Sequence, residues 1–186
     1  KGAIHYLRDN ELDENKSYLK SQINKEKIVS FIVGGPNKYY NYEDNIIDTI
    51  FSKVKKNFID NDYQLIFIPS MRTPQRVISL AKNYFDNEQI IITGVDKKAY
   101  LSSLKLCDYI VVTCDSTSMI SEAAMTGKPI YVIKLKQVKN DYRFQRFFKL
   151  FQELEIIKFF EGKIENWTYE KLYETKRIAE IITKKL

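Results

Sequence analysis

Apolar positions along this chain alternate between short continuous runs and helical spacing. Lys27-Ile28-Val29-Ser30-Phe31-Ile32-Val33 is a β-branched run ending in Gly34-Gly35-Pro36, which predicts a buried strand and a tight turn. Ile46, Ile47, Ile50, Phe51, Val54 and Phe58 then recur at helical spacing and predict a helix over 43–59. The unit repeats with a strand at Tyr63–Ile68, the loop Pro69-Ser70-Met71-Arg72-Thr73, and a helix from Pro74 to Phe85, where the proline suits the first turn. Strands follow at Gln89–Thr93, Tyr109–Thr113 and Pro129–Ile133, separated by helices over 97–106 and 118–126. Gly127 is a helix C-cap and Pro129 blocks continuation. A short charged helix over 10–24 is expected before the first strand, with Leu12, Tyr18, Leu19 and Ile23 turned inward. Two more helices are expected over 142–154 and 169–184, with a loop around Gly162 and Trp167 between them.

Short apolar strands alternating with helices across short loops predict an α/β fold: a Rossmann-like, doubly wound, mainly parallel sheet with helices on both faces. The expected organisation is an N-terminal extension or remnant of a preceding domain over 1–27, the Rossmann-like nucleotide-binding domain over 28–162, and a C-terminal helix over 163–186 expected to pack on an absent N-terminal domain. The sequence opens KGAIHYLRDN, with neither Met nor a signal-peptide pattern, so the chain is expected to start inside a longer protein whose N-terminal domain it lacks.

Composition narrows the function classes. The 44% apolar and 29% charged content of the 186 residues is that of an ordinary globular protein, and no apolar run approaches the roughly 20 residues that span a bilayer. The net charge of +6 comes from Lys spread through Lys/Asn/Ile-rich stretches, so a solvated surface accounts for it and no specific nucleic-acid partner is expected. Cys107 and Cys114 fit neither a disulfide framework nor a zinc spacing and are expected as reduced core thiols of a cytoplasmic protein. His5 is the single histidine, which excludes a multi-His metal site within this chain. No metal or cofactor is expected.

In an open parallel sheet, ligands bind beyond the carboxyl ends of the strands. Four such loops must emerge at one edge: Gly34-Gly35-Pro36-Asn37-Lys38, Ser70-Met71-Arg72-Thr73, Thr93-Gly94 and Thr113-Cys114-Asp115-Ser116-Thr117-Ser118. They carry glycines, cationic side chains and hydroxyls, the chemistry of a polar, anion-binding cleft. Ser116, Thr117 and Ser118 open a helix, where they either cap it or contact a phosphate. Glu122 sits where the helix dipole favours a carboxylate and where it can reach the vicinal hydroxyls of a ribose. Arg72 either grips phosphate oxygens or pairs with Asp115 or Glu122. The Gly-Gly-Pro turn is neither a dinucleotide fingerprint nor a P-loop.

Phe31-Ile32-Val33-Gly34-Gly35-Pro36-Asn37-Lys38, Ser70-Met71-Arg72-Thr73-Pro74 and Thr113-Cys114-Asp115-Ser116-Thr117-Ser118-Met119-Ile120-Ser121-Glu122-Ala123 together resemble the mitochondrial-fission "elongated mitochondria" protein family. Its bacterial members often carry the label nucleoside-diphosphate-sugar epimerase. The resemblance implies a GT-B-type architecture, two Rossmann-like domains facing across a cleft, with this chain as the C-terminal, nucleotide-donor half. Asp115–Pro129 is similar to the donor-binding helix of bacterial GT-B glycosyltransferases. By that likeness Ser116, Thr117 and Ser118 face a diphosphate and Glu122 a ribose, with Gly34, Gly35, Arg72 and Thr73 lining the same cleft. Met71 stands where the family pattern implies a second Arg.

Two readings of function follow. One is the nucleotide-sugar-binding half of a GT-B-type glycosyltransferase-like protein, with the nucleotide sugar as substrate and the catalytic base outside this chain. The other is a non-catalytic interaction or scaffold protein of the mitochondrial-fission type that retains the fold. The candidate nucleotide-binding residues are Gly34, Gly35, Asn37, Lys38, Ser70, Arg72, Thr73, Thr93, Asp115, Ser116, Thr117, Ser118 and Glu122.

Overall fold

The computed structural model describes residues 2–5 and 7–183. Its strands are β1 (Lys27–Val33), β2 (Tyr63–Pro69), β3 (Ile90–Ile91), β4 (Tyr109–Thr113), β5 (Ile130–Ile133) and β6 (Ile157–Phe159). All neighbouring pairs are parallel, in the order β3-β2-β1-β4-β5-β6. The strand order reverses between β1 and β4, the crevice at which doubly wound sheets hold ligands. Val33 pairs with Pro69 and Thr113 with Ile133, so the strands end at one edge and their loops share it.

The helices are α1 (Asp9–Asn15), α2 (Asp44–Asn57), α3 (Gln75–Tyr84), α4 (Lys97–Leu106), α5 (Thr117–Ala123), α6 (Tyr142–Glu153) and α7 (Glu174–Thr183). They cover both faces, because successive strand residues point to opposite sides. On β1, Ser30 donates to Ser103 of α4 at 3.0 Å, whereas Phe31 packs edge-on against Phe51 of α2 and Phe67 of β2 at 5.9 and 5.8 Å between ring centroids. Such aromatic pairs add about 0.5–1.5 kcal/mol each beyond their burial. A second aromatic group, Tyr131 against Phe160 and Trp167, closes the β5–β6 end.

Several boundaries differ from the sequence expectation for identifiable reasons. The helix expected over 10–24 stops at Asn15 and resumes only as a short 3-10 turn at Lys20–Gln22. Ser102 of α4 donates to the Lys16 carbonyl and accepts the Leu19 amide, which replaces the helical bonds there. Tyr18 is therefore exposed, with its hydroxyl on Asp96, while Leu12 and Leu19 are buried as expected and Ile23 is half-buried. α5 ends at Ala123 rather than 126, because Met125 and Thr126 make tightened i→i+3 bonds ahead of Gly127, whose φ of +73° is the C-cap conformation. β6 is a strand that the expected pattern omits, although Ile156-Ile157-Lys158-Phe159-Phe160 is a short apolar run. α7 starts five residues late, after the Leu172 amide has bonded to the Ala124 carbonyl, and the expected end at 184 lies outside the described residues.

Two glycines test the logic of the first loop and the third. A Cβ on Gly35 would lie 1.9 Å from the Arg72 carbonyl oxygen, whereas one on Gly94 would meet nothing within 4 Å. Gly35→Ala is expected to cost about 1–3 kcal/mol through overpacking, or about 3–10 °C in melting temperature. Gly94→Ala is expected to leave the melting temperature within about 1 °C of the parent. Cys107 and Cys114 are both buried and free, and burial pushes the Cys114 thiol up to about 12. Iodoacetamide at pH 8 is expected to leave both thiols unmodified in the native chain and to alkylate both in guanidinium, as read by intact mass.

Candidate functional site

The loops after β1, β2 and β4 meet at the Asp115 carboxylate, whose side chain is wholly buried. It accepts the Gly35 amide at 3.0 Å, the Tyr42 hydroxyl at 2.6 Å and the Thr113 hydroxyl at 2.7 Å. Arg72 reaches it from the β2 loop at 2.7 Å and donates with its other nitrogen to the Gly35 carbonyl, also at 2.7 Å. Of the two roles open to Arg72, pairing with Asp115 is the one its geometry realises. Burial, reinforced by the Asp115 charge, pushes the Tyr42 hydroxyl well above its ordinary range, so it remains a donor.

The remaining members of this network are also held by structure. Thr73 accepts the Ser70 amide at 2.7 Å and lies 2.7 Å from the carbonyl oxygens of Val33 and Gly34. Asn37 accepts the amides of Tyr39 and Tyr40 and donates to the Asp115 carbonyl. Gly34 is dictated by close approach, since a Cβ there would fall 2.1 Å from the Asp115 carboxylate. Gly34, Gly35, Asn37, Thr73 and Asp115 thus form a scaffold behind the cleft. Lys38 and Thr93 are exposed and lie off the cleft, with the Lys38 ammonium 4.9 Å from the Tyr39 ring. Thr117 is half-buried at the start of α5 and also lies off the cleft lining.

A cleft of about 620 Å³ opens beside this scaffold at the carboxyl edge of the sheet, and Ser70, Arg72, Ser116, Ser118 and Glu122 line it. Ser116 caps α5 through the Met119 amide, while Ser118 is exposed to the cleft. Glu122, one turn along, accepts the Tyr100 hydroxyl at 2.7 Å. Burial and then the Glu122 charge raise the Tyr100 hydroxyl well above its ordinary range, so Tyr100 stays protonated and holds the carboxylate in place. Both cations at the cleft are paired, Lys97 with Glu11 and Arg72 with Asp115, each at 2.7 Å, and the Arg72 side chain remains 41% exposed. Among the described residues no group of three or more His, Cys, Asp or Glu side chains is placed to hold a metal ion.

Three features of the cleft lay beyond the sequence reading. Nothing local in the sequence marks Tyr42 and Tyr100 for polar roles, because the partners that give them those roles are distant in the chain. Met71 and Val95 are 86% and 65% exposed at the cleft mouth and give it an apolar rim. The segment before α1 also reaches the cleft, contributing Ile4, His5 and Leu7. Its anchor is the Ala3 amide, which donates to Ser121 of α5 at 2.9 Å.

The model of the family described as Mitochondrial fission ELM1 matches residues 1–186. The chain belongs to that family. The uncharacterised protein RP120 of Rickettsia prowazekii is 32% identical over 180 residues, covering 92% of this chain and 49% of that protein. Mitochondrial fission protein ELM1 of Arabidopsis thaliana is 34% identical over 122 residues, covering 63% of this chain and 28% of that protein. This ELM1-family chain therefore spans half or less of the length of these curated relatives. Among solved structures, UDP-GlcNAc 2-epimerase from Methanocaldococcus jannaschii superposes with a TM-score of 0.58 at 15% identity, over 92% of this chain and 50% of that one. The Neisseria meningitidis UDP-GlcNAc 2-epimerase bound to UDP-GlcNAc gives 0.50 at 14% identity, over 92% and 39%. The fold is accordingly the Rossmann-like, GT-B type. No helix of the described residues is long and apolar enough to cross a membrane.

The scaffold makes a ranked prediction. Asp115→Ala strands an amide and two hydroxyls and is expected to cost about 3 kcal/mol or more. Arg72→Ala leaves the buried Asp115 charge its three neutral donors but no cation, and is expected to cost less, about 2 kcal/mol, because Arg72 is itself partly screened by solvent. Urea denaturation of both variants reads the order directly; the reverse order would make Arg72 the anchor.

Proposed function

We propose that this chain is the nucleotide-binding half of a GT-B-type, glycosyltransferase-like protein and that its ligand is a nucleoside-diphosphate sugar. The observation that carries the reading is the cleft itself. It opens at the strand-order reversal, offers the Ser70, Ser116 and Ser118 hydroxyls and the Arg72 edge on its walls, and has Glu122 one turn along α5. Its volume of about 620 Å³ lies within the usual range for small-molecule sites. In this reading the serines and Arg72 meet the diphosphate. A carboxylate has about four acceptor positions, so Glu122 keeps capacity for ribose hydroxyls beyond its Tyr100 bond. Met71 and Val95 give the base an apolar surface.

A structure bound to UDP-GlcNAc is among those sharing the fold, which makes UDP-GlcNAc the first conjugate to try. Chemistry at such a site consists of positioning and of electrostatic stabilisation of a departing diphosphate. The acceptor site and the catalytic base lie, in this reading, outside this chain. Cytoplasmic placement fits two free thiols.

Calorimetric titration with UDP-GlcNAc and with UDP, GDP, ADP and CMP conjugates tests the reading. One of them is expected to bind, and Glu122→Ala is expected to weaken that binding by about tenfold or more, the value of a hydrogen bond to a charged group. The variant also strands the Tyr100 hydroxyl, a cost of about 1–3 kcal/mol, so binding is compared at a temperature well below the melting points of both proteins. Absence of binding at millimolar concentration to every conjugate would overturn the proposal.

A further inference from the structure

The single histidine is an unusual core residue. His5 is 6% exposed, yet neither Nδ1 nor Nε2 has a hydrogen-bond partner. An imidazole carries at least one N–H donor and, when neutral, one acceptor. Burying both without partners gives up their hydration for nothing, and such groups in a folded protein call for an explanation. Packing alone does not supply one, because a leucine would fill similar space without the desolvation cost.

Its position supplies one. The Ala3 amide bonds to Ser121, and the His5 amide and carbonyl both bond to the Thr175 hydroxyl at the start of α7. The backbone of residues 3–5 is thereby fixed as a strap between α5 and α7. Ser121 lies one helical turn beyond Ser118, so the strap runs beside the face of α5 that lines the cleft. His5 lines that same cleft with Ser118, Glu122 and Arg72, and it also forms the wall towards a second cavity of about 600 Å³ beneath α7. The residue is thus bordered by cavities on two sides, while its backbone is held at Thr175.

We infer that His5 is a ligand-binding residue of the cleft, donating a ring N–H to a phosphate oxygen of the nucleoside diphosphate. The inference rests on the nucleotide reading of the cleft. The ligand class follows from the neighbours: three serine hydroxyls, the half-exposed Arg72 guanidinium and an imidazole N–H can all donate, and a diphosphate is rich in acceptors. The strap thus becomes the third wall of the site, and the desolvated imidazole finds in the bound state the partner it lacks in the empty one.

A chain with one histidine gives an unambiguous spectroscopic test. Long-range proton–nitrogen correlation spectra of the imidazole are recorded while UDP, GDP, ADP and CMP are added in turn. For the nucleotide that binds, both ring nitrogens are expected to shift, with the half-saturation point found by calorimetry. His5→Leu is expected to weaken that nucleotide at least tenfold while the ligand-free melting temperature stays level or rises, since no native hydrogen bond is lost. A structural histidine would instead lower the melting temperature and leave affinity unchanged, which would overturn the inference. Binding of a nucleotide with the ring signals unmoved overturns it too and spares the reading of the cleft. No binding by any of the four, nor by the sugar conjugates, removes both.

Discussion

One buried carboxylate organises the working edge of this fold. Asp115 has no contact with solvent, and a charge in that position persists only if its acceptor sites are filled. They are filled from three directions: by the β1 loop through Gly35, by the β2 loop through Arg72, and by Tyr42 and Thr113 from the segments on either side. Each donor comes from a different part of the chain, so the carboxylate converts three neighbouring loop ends into one rigid unit. The two glycines before Pro36 belong to the same constraint, because side chains there would enter the space taken by Asp115 and Arg72.

The consequence for the cleft is preorganisation. Ser70 follows β2 inside this unit and Ser116 follows Asp115 directly, so their hydroxyls are set by bonds behind the cleft wall. A ligand entering such a site does little ordering of loops, which keeps the entropic cost of binding low. Glu122 is held separately, by Tyr100 from α4, and the strap at residues 3–5 by Ser121 and Thr175. Three independent anchors therefore surround one space, and in the strap the buried His5 ring nitrogens lack partners.

The sheet was legible because its signal is local. Val, Ile and Phe runs bounded by Gly and Pro gave strands at 27–33, 63–69 and 109–113 with little error, and the buried face of α2 followed from spacing alone. The failures share a cause. Tyr18 turned outward and α7 began late because residues remote in sequence, Ser102 and Ala124, took up backbone groups that a continued helix would have used. The candidate site divided for the same reason. Loop composition identifies the residues that gather at one edge, and it is silent on which carboxylate an arginine will choose. Arg72, Thr73, Asn37 and Asp115 hold the edge together, while Ser70, Ser116, Ser118 and Glu122 face the cleft. His5 was readable only as the lone histidine, since its significance lies in the bonds it does not make.

The contact between residue 34 and the Asp115 carboxylate also constrains how this edge can diverge. A methyl group at 34 occupies the space of the carboxylate oxygens, so a side chain can appear there only in a protein whose residue at 115 has shortened. Shortening 115 first strands the Gly35 amide and the Tyr42 and Thr113 hydroxyls, and enlarging 34 first creates a clash. Either single step passes through a damaged protein. The pair behaves as a ratchet: once assembled, the glycine and the aspartate hold each other in place through divergence, even in a descendant that has lost whatever the cleft was for.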